Sequence, residues 1–139
     1  MRRYRLWLCV PVVIMVALDH GLTLWGQSAE YWAGDYTQVN EASEALAGEL
    51  RIHLLAFVMT SIALTLFWCT IILLVPKRAA MVIALTLAQA NSFGAGTWVV
   101  RHFPDPGGVL FFLFLLPSIL VMIAWTHQER ELAATGGTP

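Results

Sequence analysis

Charge is scarce in this chain. Of its 139 residues only 12% are Asp, Glu, Lys or Arg, and the formal net charge is −1. Soluble domains carry roughly 25% charged residues, so this composition argues against a water-soluble domain and against disorder. The lack of a basic surplus removes the electrostatic footprint of a nucleic-acid-binding protein. Cysteine is scarce as well. Cys9 and Cys69 are too few for a disulfide scaffold, and both read as small apolar fillers. No HExxH, HxxxH or CxxC spacing occurs, nor a GxSxG elbow, a P-loop or a dinucleotide-binding glycine motif. No inverted repeat is visible, which leaves little room for an alternating-access transporter.

Hydrophobic runs dominate instead: 58% of the residues are apolar. A hydrocarbon core about 30 Å thick is crossed by roughly 20 helical residues. Four stretches meet that length or come close: Leu6–Trp25, Leu54–Val75, Ala79–Val100 and Val109–Thr126. Isolated strands would leave backbone groups unpaired in lipid, and the runs lack a barrel's alternation. The expected fold is therefore all-α, an integral membrane four-helix bundle forming one domain over 1–139. Short links at 76–78 and 101–108 predict antiparallel neighbours.

The first span has two readings. Arg2, Arg3 and Arg5 before an apolar core fit a signal peptide, but Gln27-Ser28-Ala29 is a poor cleavage site, which favours retention. Arg2, Arg3, Arg5, Lys77, Arg78 and Arg130 fall on one side, against Arg51 and Arg101 on the other. The positive-inside rule then predicts cytoplasmic termini, an external loop over 26–50 and a cytoplasmic tail over 127–139. A bacterial inner membrane is the expected location, with an acidic outer face built from Glu30, Asp35, Glu41, Glu44, Glu49 and Asp105.

Within lipid, close backbone approach and polar contacts hold helices together. The third span offers a row of small residues four apart, Ala80, Ala84, Ala88, Ser92 and Gly96, with a second short row at Ala90 and Gly94. It is the expected central packing element. Pro117 predicts a kink in the fourth span. Trp7, Trp25, Trp32, Trp98 and Trp125 fit an interfacial belt, whereas Trp68 lies deeper and reads as packing. In the loop, Asn40 is the expected N-cap of a short helix from Glu41 to about Ala47, with Gly48 bending the chain into the second span.

Asp19 needs an explanation. It lies six residues inside the first span, about 9 Å below the outer boundary at 1.5 Å per residue. An acid at such depth is expected to face the bundle or a wet cavity. Expected contacts are Thr23, which shares its face, and polar atoms among Glu41, Asn91, His20, His53 and His102. Asn91, with Gln89, Thr60, Ser61 and Thr65, also fits interhelical glue. His20, His53 and His102 fall near the outer ends of three spans. Together with Asp19 and Glu41 they include the ligand types of a divalent metal, and paired histidines could hold haem. Depth coincidence is not a motif, so no cofactor is expected, while metal and haem stay open.

The segment from Asp19 and Thr23 through Tyr31-Trp32-Ala33-Gly34-Asp35-Tyr36 to Asn40-Glu41-Ala42-Ser43 resembles a prokaryotic family of small four-span proteins, domain of unknown function 5658. That family has an acid and a threonine in its first span, then a glutamate and an Asn-Pro step before the second. Glu41 matches the glutamate, whereas Ala42-Ser43-Glu44 departs from Asn-Pro. The resemblance implies a four-helix membrane protein and no known activity.

The functional reading is a non-enzymatic membrane protein in contact with the lipid bilayer. It would bind a lipid, a membrane-protein partner or a second copy of itself, and no nucleic acid. The alternative is a small membrane enzyme, metal-dependent in one form, with a polar site at the outer leaflet.

Overall fold

A computed structural model describes residues 6–134, apart from the side chain of residue 132. Arg2, Arg3 and Arg5, and the tail beyond 134, lie outside the described residues. The described chain is helical: α1 (Leu6–Trp25), α2 (Ala29–Trp32), α3 (Glu44–Ile52), α4 (Leu54–Leu74), α5 (Lys77–His102) and α6 (Gly107–Ala134). Four of these, α1, α4, α5 and α6, are long and apolar enough to cross a membrane. The chain is an all-α, four-helix integral membrane bundle, with α2 and α3 capping one end.

Helices α5 and α6 run past the apolar stretches. Lys77 and Arg78, expected as a linker, form the first turn of α5, closed by the Ala80 N–H on the Pro76 carbonyl (2.9 Å). At the other end α6 continues through His127 and Glu129–Glu131. Apolar length measures the membrane crossing, and good helix formers beyond it simply prolong the helix. The expected tail is thus helical as far as Ala134.

Short links make α4 and α5, and α5 and α6, antiparallel. The broadest interface lies elsewhere, between α1 and α5, which run in the same direction; α4 has less contact with α5 than with α1. All five residues of the small-residue row are buried. Steps of four residues advance about 40° beyond a full turn, so the row winds around α5. Ala80 and Ala84 join Leu8, Cys9, Val12, Ile72 and Ala124 in the core, while Gly96 meets Leu110 of α6. Of the second row, Ala90 faces outward and only Gly94 is covered.

Pro117 lies inside α6 and provides no N–H for the carbonyl of Leu113. The Ser92 hydroxyl, fully buried on α5, donates to that carbonyl. The row thus contributes a hydrogen bond to the α6 carbonyl that Pro117 leaves without a helical donor.

The cap departs from expectation. Ser43, not Asn40, precedes α3, which begins at Glu44 and contains Gly48. The bend into α4 falls at His53, whose backbone is extended and whose Nδ1 accepts from the Leu55 N–H (3.0 Å). Asn40 is committed to tertiary contacts, as described below. Ser28 caps the unexpected single turn of α2, and Gly34, with φ of 103°, turns the chain as only glycine does readily.

At the opposite end the Lys77 ammonium pairs with Glu129 and lies 4.7 Å from the Trp125 ring centre. Trp7 donates to Glu131 (3.1 Å) and stacks on His127. Trp98 is buried against the bundle rather than turned outward, whereas Trp68 is 37% exposed rather than core.

Candidate functional site

Two faces of the last turns of α1 meet different surroundings. One turns toward α5. A Cβ on Gly94 would stand 2.5 Å from both carboxylate oxygens of Asp19, so the acid packs into space that only glycine leaves free. Among the described residues Asp19 has no protein hydrogen bond. Thr23, its expected partner, accepts instead from the Trp98 indole N–H (2.9 Å), and both groups are buried. The Trp98 ring fills the place a Cβ on Gly26 would take, within 2.1 Å. Indole hydrogen bond and ring contact together lock α1 to α5 near the cap.

The loop is sewn to this lock. Gln27 donates to the Thr23 carbonyl (2.8 Å) and accepts from the Asn40 N–H (2.9 Å). The Asn40 amide donates to the Gly26 carbonyl (2.9 Å) and accepts from Arg101 (3.0 Å). Arg101 in turn lies over the Trp98 ring, and His102 stacks on it. Gln27, Asn40, Arg101 and Trp98 were not legible as a unit. They belong to three separate segments, with Trp98 and Arg101 sharing α5, and only the fold brings them together.

A second cap layer covers α4. Tyr31 is buried and donates to the Leu50 carbonyl (3.3 Å). Tyr36 hydrogen-bonds to His53 Nε2 (3.3 Å), so His53 is fully employed in capping. Burial pushes the Tyr31 phenol above its ordinary pKa. Bonds from the Thr37 hydroxyl and amide hold Asp35 below the usual carboxylate range.

The other face of α1 opens on a groove. Val13, Val16, Ala17, Gly21 and Leu24 form one wall; Phe57, Val58, Ile62 and Leu66 of α4 form the other. Its volume is about 470 Å³. A smaller cavity of about 130 Å³ adjoins it, with Trp68, Leu87 and Asn91 added to the lining. His20, Ser61 and Thr65 line both spaces and form a polar floor between them. The His20 ring packs on Phe57, and its shielded Nδ1 has no hydrogen-bond partner. Ser61 donates to the Phe57 carbonyl, Thr65 to the Ser61 carbonyl and Asn91 to the Leu87 carbonyl, at 2.7, 2.7 and 2.8 Å. Glu41 lies within electrostatic range of both Asp19 and His20.

The structure therefore separates what depth had grouped. His20 faces α4, His53 caps α4 and His102 stacks on Trp98 with its ring tilted against Trp25. Among the described residues no three of His, Cys, Asp and Glu converge as a metal-binding group. Comparison with known proteins finds no match: no family model, characterised protein or solved structure is significantly similar to this chain.

Proposed function

We propose that this protein is a non-enzymatic lipid-binding bundle that takes one apolar chain into the groove between α1 and α4. The observation that carries the reading is the groove itself, with two apolar walls closing on a floor made by His20, Ser61 and Thr65. Ligand sites are concave, mostly apolar and furnished with a few convergent polar groups. Self-association or a membrane-protein partner is less favoured, because the small-residue row that would mediate close helix contact is already buried inside the bundle. The reading invokes no metal, no haem and no chemical step. It places the protein in a bacterial inner membrane with cytoplasmic termini and a periplasmic cap, and in the small four-span family that residues 19–43 resemble. Support for the orientation comes from Lys77, Arg78 and Arg130 at the end away from the cap.

Photocrosslinking in nanodiscs tests the reading. A lipid with a diazirine in its chain should label residues 13–24 and 57–66 above the level on the exposed face of α6, around Phe111, Phe112 and Met122. Gly21 has open space beside it, so Gly21→Leu should fill the groove and suppress that labelling while sparing α6. Uniform labelling of α4 and α6, unaltered by Gly21→Leu, overturns the proposal.

A further inference from the structure

The polar floor also specifies the head of the molecule it would hold. We infer that the groove selects an amphiphile with an uncharged hydroxyl head, a single-chain long-chain alcohol, over anionic or quaternary-ammonium amphiphiles. This inference rests on the groove being a lipid site.

Hydrogen-bonding capacity comes first. Ser61 and Thr65 each spend their only hydroxyl proton on a carbonyl of their own helix, so toward the floor they offer acceptor lone pairs. His20 Nδ1 is shielded from the groove and the ring packs on Phe57, so the head-group contacts fall to the two hydroxyls. A ligand hydroxyl can donate to Ser61 or Thr65. A quaternary ammonium has no proton to donate.

Charge narrows the choice further. The acid bearing on His20 is Glu41 of the cap, which also acts on Asp19. The cations at this end are engaged: Arg51 with Glu44, and Arg101 with Asn40 and the Trp98 ring. An anionic head would meet repulsion without a counter-ion. A cationic head would be held away from contact with Asp19, whose carboxylate points at Gly94. His20 lies five residues below the end of α1, about 8 Å at 1.5 Å per residue, a depth at which charge is costly and a hydroxyl is not. Size fits one chain. At roughly 30 Å³ per water-sized group, about 470 Å³ holds on the order of fifteen such groups.

The test uses three photoprobes with the same long chain, ending in a hydroxyl, a sulfate or a trimethylammonium, on the full chain in nanodiscs. One or two hydrogen bonds of ordinary strength predict a preference of about five- to tenfold for the alcohol at residues 13–24 and 57–66. Thr65→Val and Ser61→Ala, which preserve shape, should each reduce that preference while leaving chain labelling of the groove. Equal labelling by the three heads, or a preference for either charged head, overturns the inference and leaves the groove reading standing. Failure of every probe to label the groove above α6 overturns the groove reading as well.

Discussion

Replacing Ser92 by alanine should destabilise the bundle through one carbonyl. Pro117 cannot donate to Leu113, and the Ser92 hydroxyl takes over that bond from α5. Hydrogen bonds between membrane helices are worth about 0.6 kcal/mol on average, reaching about 1.7, and stranding a buried acceptor costs about 1–3 kcal/mol. Ser92 is fully buried, which excludes replacement by bulk solvent, so Ser92→Ala is expected to cost roughly 1–2 kcal/mol. The partner substitution isolates the cause. Pro117→Ala returns an N–H to α6, and Leu113 regains its helical donor. In that background Ser92→Ala should cost less than about 0.5 kcal/mol, a coupling of about 1 kcal/mol in a double-mutant cycle. Reversible unfolding in mixed micelles, followed by circular dichroism, supplies the four free energies. Equal costs of Ser92→Ala with and without Pro117 would refute the reasoning, because the hydroxyl would then be acting through packing alone.

Gly94→Ala places a methyl 2.5 Å from the Asp19 carboxylate. It should cost about 1–3 kcal/mol, as overpacking does, and the same unfolding assay should show partial rescue by Asp19→Ala. Asn40→Ala removes the bonds to the Gly26 carbonyl and Arg101, so limited proteolysis should cut the loop between α2 and α3 faster while the four long helices remain intact. The turn at Asp35 should respond to acid. Its folded pKa is depressed by Thr37, so its contribution is complete above the ordinary value of 3.8 and fades as pH falls through the lower folded value. Protection of the Thr37 amide, taken relative to its intrinsic exchange rate at each pH, should fall over that acidic range, and Asp35→Asn should abolish that fall.

Some of this was legible from local signals. Ser92 stood out in a four-residue repeat of small residues, and Pro117 announced a carbonyl without its donor. Nothing local joined the two, because they are 25 positions apart and their meeting depends on the rotation of α5 against α6. Asp19 and Gly94 could have been matched by depth, since both lie a few residues below the cap end of parallel helices. That match needs the knowledge that α1 and α5 are neighbours. The error over Asn40 has a plain cause: a good N-cap type placed before glutamates satisfies the local rule, but tertiary hydrogen bonds to Gly26, Gln27 and Arg101 claimed its backbone and side chain.

The sequence by itself determined the number, order and approximate extent of the long helices, because run length against hydrocarbon thickness is a one-dimensional comparison. It also marked α5 as the packing centre through its small residues. The tertiary structure decided which helices touch and which polar groups meet. The reason is that α4 and α6 are apolar all round, with no hydrophilic stripe to declare an outward face, so rotation and neighbour choice come from side-chain fit among many similar surfaces. Parallel packing of α1 on α5, the Thr23–Trp98 lock and the divergence of His20, His53 and His102 all follow from that fit, and so does the groove that leaves His20 between α1 and α4.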